Sequence, residues 1–330
     1  MWMRNNRILA DGLGIYHCMS RTVNGEAFFD TREKEVLRKM IHRVADFSGV
    51  EVLTFCLMNN HFHLLVRVPP AEGVSDQELL RRYQVLYPKP TAYQTASIEV
   101  MIKELMADGP DAEAIRVRLL ARMGDVSAFM KTLKQRFSTW FNKTHDRFGP
   151  LWSDRFKSVL VEGKGNALQT IAAYIDLNPV RAGIVQDPKD YRFCGYAEAI
   201  VGLRDAVRGL TFVTLGLYDV PAAEALTSYR LMLFGKGSAP SGGAAQFDRA
   251  QAVRVLEKEQ GHLPAATLLR CRIRYFSEGA VLGSREFVTA HMDAWQRSTQ
   301  RKHRPKPCSF QAEASEPVVV MKNVRGQAYS

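Results

Sequence analysis

The sequence predicts an α+β protein. Three observations carry that reading: a hairpin signal at Asn59-Asn60, helical apolar spacing over Glu33–Phe47, and a broad apolar stripe over residues 126–141. In chain order, Ile15–Ser20 alternates as a strand should, and Asn24-Gly25 marks a turn. Val36, Leu37, Met40, Ile41, Val44 and Phe47 then recur at helical intervals. Glu51–Met58 and His61–Val68 read as two strands of a hairpin. Its paired asparagines tolerate the left-handed backbone that a tight turn demands, and Pro69-Pro70 closes it.

Residues 71–124 are polar and irregular, with helical fragments at Gln77–Tyr87 and Ile98–Met106, and read as an insertion. Asp125 is placed to cap the next helix, whose stripe is Val126, Phe129, Met130, Leu133, Phe137, Trp140 and Phe141. Gly149-Pro150 ends it. Leu151–Glu162 reads as a strand, and Asn166 opens a helix with Leu168, Ile171, Ala172 and Ile175 inward, stopped at Pro179. These assignments divide the chain into a main domain (1–200), a helical extension (201–234), a linker (235–246), a small helical accessory module (247–296) and a basic disordered tail (297–330). The module's expected helices are Phe247–Gln260, Ala265–Phe276 and Ser284–Trp295, with Arg270, Arg272 and Arg274 on the second.

Composition narrows the function. The 330 residues hold 45 Lys and Arg against 34 Asp and Glu, a net charge of +11, with 46% hydrophobic residues. That excludes disordered, collagen-like and disulfide-scaffold classes, and the charge fits a polyanionic partner, nucleic acid above all. No run approaches the ~20 apolar residues of a membrane span, and Met1–Arg7 holds no apolar signal core. Cys18, Cys56, Cys194, Cys271 and Cys308 form no CxxC pair and read as reduced thiols. The expected location is the cytoplasm, associated with a bacterial nucleoid.

His61 and His63 stand at i and i+2 on a strand, so both imidazoles project from one face while Phe62, Leu64, Val66 and Val68 fill the other. Two parallel imidazoles suit a divalent metal if a third donor exists; without one they are simply two half-exposed histidines. Tyr174 and Asn178 stand at i and i+4 on a helix and share a face. A phenolate there can attack a phosphodiester, and an Asn amide oxygen can serve as the third ligand of a hard cation. The plainer alternative is a tyrosine at the core edge and an asparagine ending a helix before proline.

Taken together, these segments resemble the single-tyrosine HUH transposases, in particular the REP-associated tyrosine transposases. The matching pieces are Ile15–Arg21 with Asn24-Gly25, Leu57–Val66, Phe137–Phe141 with Gly149–Trp152, Arg155–Ser158, and Tyr174–Val185. Asn59 stands where that family commonly has proline. The resemblance implies a ferredoxin-like antiparallel sheet with helices packed on one face, here with a helical C-terminal extension. It also implies Mg²⁺ or Mn²⁺ held by His61, His63 and Asn178. Tyr174 would attack single-stranded or hairpin DNA to form a 5′-phosphotyrosine and free a 3′-OH, without any nucleotide cofactor. Strand exchange needs two cleaved ends, and the sequence leaves monomer and homodimer open.

Residues 126–160 carry seven basic side chains against two acids. Lys131, Lys134, Arg155 and Lys157, with Arg21 after the first strand, are the expected backbone-phosphate contacts. Arg155 and Lys157 alternate about Phe156 on the expected strand, and Trp152 is the one aromatic residue suited to stack a base. Two other readings compete: a domesticated hairpin-DNA-binding protein that does not cleave, and a metal-dependent phosphodiesterase that uses water.

Overall fold

Nearly continuous burial along the first strand, β1 (Gly14–Arg21), marks it as the centre of the sheet in the computed structural model of the chain. The structure describes residues 8–215, 222–235, 279–299, 307–310 and 318–322. After β1 come helix α1 (Thr31–Ser48), the hairpin strands β2 (Glu51–Leu57) and β3 (His61–Val68), helix α5 (Val126–Thr144) and strand β4 (Lys157–Val161). β1 lies between β3 and β4, β2 lies outside β3, and all three pairings are antiparallel. This β2-β3-β1-β4 order, with crossovers through α1 and α5, is the ferredoxin-like arrangement expected from the sequence.

α1 and α5 pack together on one face of the sheet. Phe55 meets His42 of α1, and Phe62 reaches Trp152, which also touches Phe137 of α5. Helices cover the other face too, where the resemblance implied helices on one face only. On the opposite face lie α6 (Gly165–Asp176), the single turn α7 (Asn178–Arg181), α8 (Gly195–Ile200), α9 (Arg204–Leu215) and α10 (Ala222–Gly235). The reading of 201–234 as helical therefore coincides with α9 and α10.

Several expectations need correction. Neither hairpin asparagine adopts the left-handed backbone; that conformation belongs to Asn24, at φ 54°. The hairpin turn is held by tertiary bonds instead. The backbone of Phe29 donates to the Asn59 carbonyl, that of Thr22 donates to the Asn60 carbonyl, and the Lys34 ammonium donates to Asn59 Oδ1. The helical fragments expected at Gln77–Tyr87 and Ile98–Met106 correspond to α2 (Asp76–Val85) and α3 (Ala92–Ala107). The rest of the insertion is not irregular but adds α4 (Pro110–Leu120), the three packing around buried Leu79, Met101, Leu105, Ala112 and Leu119. The insertion returns to its starting point at Gly124, where φ is +59° and an added Cβ would lie 2.6 Å from the Ala71 nitrogen.

The strand read from Leu151 is interrupted: Trp152 pairs with Thr22 in an isolated antiparallel bridge, residues 153–156 leave the ladder, and β4 itself begins only at Lys157. α6 starts at Gly165 behind Lys164, so Asn166 is not its cap. Residues 279–283, assigned to a helical module, form β5 (Gly279–Gly283), parallel to β4. The run Gly-Ala-Val-Leu-Gly is too short to reveal its period. The expected helix Ser284–Trp295 corresponds to α11 (Arg285–Thr299); the other two, with the linker from residue 236 and the three arginines, lie outside the described residues. The tail expected to be disordered contributes β6 (Pro307–Phe310) and β7 (Val318–Lys322), which extend the sheet to β2-β3-β1-β4-β5-β7-β6.

One buried carboxyl fastens α6 to its surroundings. Asp176 is fully buried and accepts from the Thr54 hydroxyl of β2 at 2.8 Å, the Tyr196 backbone of α8 at 3.2 Å, and the Tyr229 hydroxyl of α10. Burial pushes its carboxyl up to about 7, against the pull of those three donors. Replacing Asp176 with alanine leaves the donors buried without an acceptor. We expect Asp176→Ala to cost about 3 kcal/mol in urea unfolding, and Asp176→Asn, which keeps one acceptor, to cost less.

Candidate active site

The β1–β3 register creates the site. Met19 lies opposite His63 and Arg21 opposite His61, so Ile15, His17, Met19, Arg21, His61, His63 and Leu65 share one face. β2 places Cys56 beside His63, and β4 places Lys157 beside Met19. α6 crosses this face and sets the ring of Tyr174 edge-on to His63, 5.6 Å between centroids, and to His17 at 5.9 Å. The rings of His61 and His63 are 5.1 Å apart, as are those of His63 and His17. His17, His63 and Tyr174 are buried, whereas His61 is half-buried at the rim. The structure thus brings the histidine pair and the tyrosine together.

Both histidines of the pair are held neutral. Burial lowers His61 to about 4, aided by the Arg21 charge; burial also lowers His63 well below the ordinary range, aided by His17, His61 and Arg181. The tautomer of His61 follows from its neighbours. Asn60 Nδ2 donates to the Gly25 carbonyl at 2.8 Å, which fixes the amide and turns its oxygen toward His61 Nδ1 at 2.6 Å. An oxygen acceptor requires the hydrogen on Nδ1, so Nε2 carries the bare lone pair. His63 Nδ1 lies 2.8 Å from His17 Nε2, so one hydrogen is shared between these two rings. Sequence spacing gives His17 no role, because only the strand register brings it to His63.

The tyrosine's helix ends in a constrained way. Pro179 lacks the N–H that would bond the Ile175 carbonyl, and Asn178 Nδ2 replaces it at 3.1 Å while also reaching the Tyr174 carbonyl at 3.0 Å. The expected single helix through Tyr174 and Asn178 is therefore broken at Leu177 between α6 and α7. The structure places no bond between Asn178 and either histidine among the described residues; its amide nitrogen caps α6 and its oxygen is the remaining donor atom. Arg181 completes the cluster. Its guanidinium lies 3.9 Å from the centre of the Tyr174 ring, and Nη2 donates to the Tyr174 carbonyl at 2.6 Å. Arg181 was not among the expected site residues; the break between α6 and α7 is what turns it back onto Tyr174.

The expected phosphate contacts divide. Arg21 and Lys157 lie on the histidine face, Arg21 exposed next to His61. Arg155 is exposed in the loop before β4, not on the strand with Lys157. Lys131 is exposed on α5, while Lys134 donates to the Asp154 carbonyl at 2.7 Å and lies over Trp152. Trp152 is no stacking platform: its ring meets Phe29, Phe62 and Phe137, and its Nε1 donates to the Lys134 carbonyl. Among the described residues, no three His, Cys, Asp or Glu side chains are grouped to hold a metal ion. No helix among them is long and apolar enough to cross a membrane.

A ferredoxin-like sheet with an HxH strand facing a helix-borne tyrosine is the architecture expected of a tyrosine transposase, and the resemblance is borne out by a family match. Residues 13–78, from β1 through the histidine pair to the start of α2, match the family described as transposase IS200 like. A solved structure of a REP-associated tyrosine transposase bound to a REP hairpin is 15% identical, with a TM-score of 0.38. That alignment covers 61% of this chain and 87% of the other. Comparison with curated proteins gives no match.

The network predicts a measurable state of His61. In ¹⁵N spectra of the imidazoles at pH 7, His61 should show a protonated Nδ1 and a bare Nε2. Asn60→Ala should return it toward the mixture of a free imidazole, while the same tautomer in both proteins would contradict the assignment.

Proposed function

We propose that this chain is a transposase: a divalent-metal-dependent transesterase that cuts and rejoins single-stranded or hairpin DNA through Tyr174. The observation that carries the reading is the buried contact of Tyr174 with His63, on a face where two neutral imidazoles point the same way. The match of residues 13–78 to IS200-like transposases supports it. A water-using phosphodiesterase has no need for a tyrosine in that position.

The donor set fits Mg²⁺ or Mn²⁺. His61 offers Nε2 because Asn60 engages its Nδ1. For His63 to offer Nε2 likewise, its Nδ1–H must donate to His17, which the 2.8 Å contact allows. Asn178 supplies an oxygen as third ligand, since its nitrogen is committed to the helix end. A cation bound there would polarise the scissile phosphate and offset charge on its oxygens.

The rest of the reaction belongs to the chain. Arg21 and Lys157, on the same face, hold the flanking phosphates. The Tyr174 oxygen attacks phosphorus, the bond to the 3′-oxygen breaks, and the phenol's proton ends on that oxygen. The products are a 5′-phosphotyrosine and a 3′-OH. Attack by another 3′-OH reverses the step, so the phosphodiester's free energy is kept in the covalent bond. Arg181 above the ring favours negative charge as the phenolic oxygen becomes a leaving group.

The test is incubation with labelled hairpin DNA and Mn²⁺, read on a denaturing gel for a protein–DNA adduct. Wild type should form it, Tyr174→Phe should not, and His61→Ala should slow it roughly 100-fold or more. Cleavage that persists in Tyr174→Phe would point to water as nucleophile. Binding of a cognate hairpin with no cleavage would mark a domesticated binding protein.

A further inference from the structure

The insertion and α5 enclose a second feature, away from Tyr174. A cleft of about 970 Å³ runs between α1, the end of α2 with the chain that follows it, and α5. Its lining includes Arg43, Lys89, Arg122, Lys131, Arg136 and Lys143, and no acidic residue. Arg43, Lys89, Lys131 and Lys143 are exposed.

The contrast with nearby arginines makes this cluster informative. Arg81, Arg82 and Arg116 of the same insertion are all paired with carboxylates, through Asp46, Glu78, Asp76 and Asp108. Among the described residues, none of the six cleft cations forms an ion pair. Six like charges gathered without counter-charge repel one another, and an anion that enters relieves them. Of its two aromatic residues, Tyr87 carries Arg136 over its ring at 5.0 Å and Trp140 packs against Phe137 at 5.5 Å. The groups that dominate the lining are the cations, which suit phosphates.

Length selects among phosphate ligands. Lys131 and Lys143 are twelve residues apart on one helix, about 18 Å at 1.5 Å per residue. That is much longer than one phosphate and equals about five base steps of a duplex measured along its axis, at roughly 3.4 Å per step. The α1–α5 layer lies on the sheet face opposite Tyr174, so DNA held here is not the segment being cut.

We propose that this cleft grips the paired stem of a DNA hairpin by its phosphate backbone, at a site separate from the tyrosine chemistry. The proposal rests on DNA being the substrate. The insertion's function is then to add the far wall of a stem-binding cleft that α1 and α5 alone do not form.

The test measures binding without metal, by fluorescence anisotropy of a labelled hairpin across a salt series. Arg43→Gln, Lys131→Gln and Lys143→Gln together remove three cleft charges. Lys103→Gln, Lys189→Gln and Arg204→Gln together remove three elsewhere and match the change in net charge. The cleft variant should bind roughly tenfold or more weakly, with the slope of log K against log salt reduced by about 2 to 3. The control should stay near wild type. Equal effects of the two variants, or an unchanged slope in the cleft variant, overturn the proposal. A melting temperature for the cleft variant at or above wild type excludes misfolding as the cause. Because binding is read without cleavage, absence of a covalent adduct would remove the proposed chemistry and leave this result intact.

Discussion

The site depends on one buried carboxyl. Asp176 ties α6 to β2, α8 and α10 at once, and Tyr174 stands two residues before it on the same helix. A surface helix can roll by several degrees at little energetic cost. A helix whose end is bonded to three other elements in the interior has one rotational setting, and here that setting turns Tyr174 onto His63. The cost is visible in the carboxyl itself, which burial pushes toward its neutral form even while three donors draw it the other way. Such a balance of desolvation against hydrogen bonds stabilises little net but penalises displacement heavily.

The imidazoles are set by a second constraint that starts in a turn. Asn24 takes the left-handed backbone and Gly25 follows at φ +71°, which brings the Gly25 carbonyl to the Asn60 amide. That bond orients the amide, the amide orients His61, and a lone pair is left facing outward. On the other side, β1 supplies His17 to His63. Each histidine therefore has a partner at its inner nitrogen, which is how protein sites make imidazole a directed donor. Tyr174, Arg181 and the helix end at Pro179 close the cluster from above.

Much of this was legible in the sequence because it depends on periodicity and local geometry. The i, i+2 placement of His61 and His63 gave their common face, and the stripe on residues 126–141 gave the core-facing side of α5. Residues fixed by tertiary contact were hidden. His17 acquires meaning only from the register of β1 on β3. Asn59 and Asn60 looked like a left-handed turn by residue type, yet tertiary hydrogen bonds hold them in ordinary backbone. In the insertion, α2 and α3 were legible as helical fragments, whereas α4 was not, because its buried Ala112 and Leu119 make no continuous apolar stripe. The last strands were missed because Pro307–Phe310 and Val318–Lys322 are short segments in a basic, polar stretch, and their pairing is with each other and with β5.

The most direct measurement is to digest the protein after reaction with hairpin DNA and Mn²⁺ and to locate the nucleotide by peptide mass spectrometry. The account predicts a 5′-phosphonucleotide on Tyr174, in the tryptic peptide Gly165–Arg181. A nucleotide found on another side chain, or a cleaved substrate with no modified peptide, would contradict it.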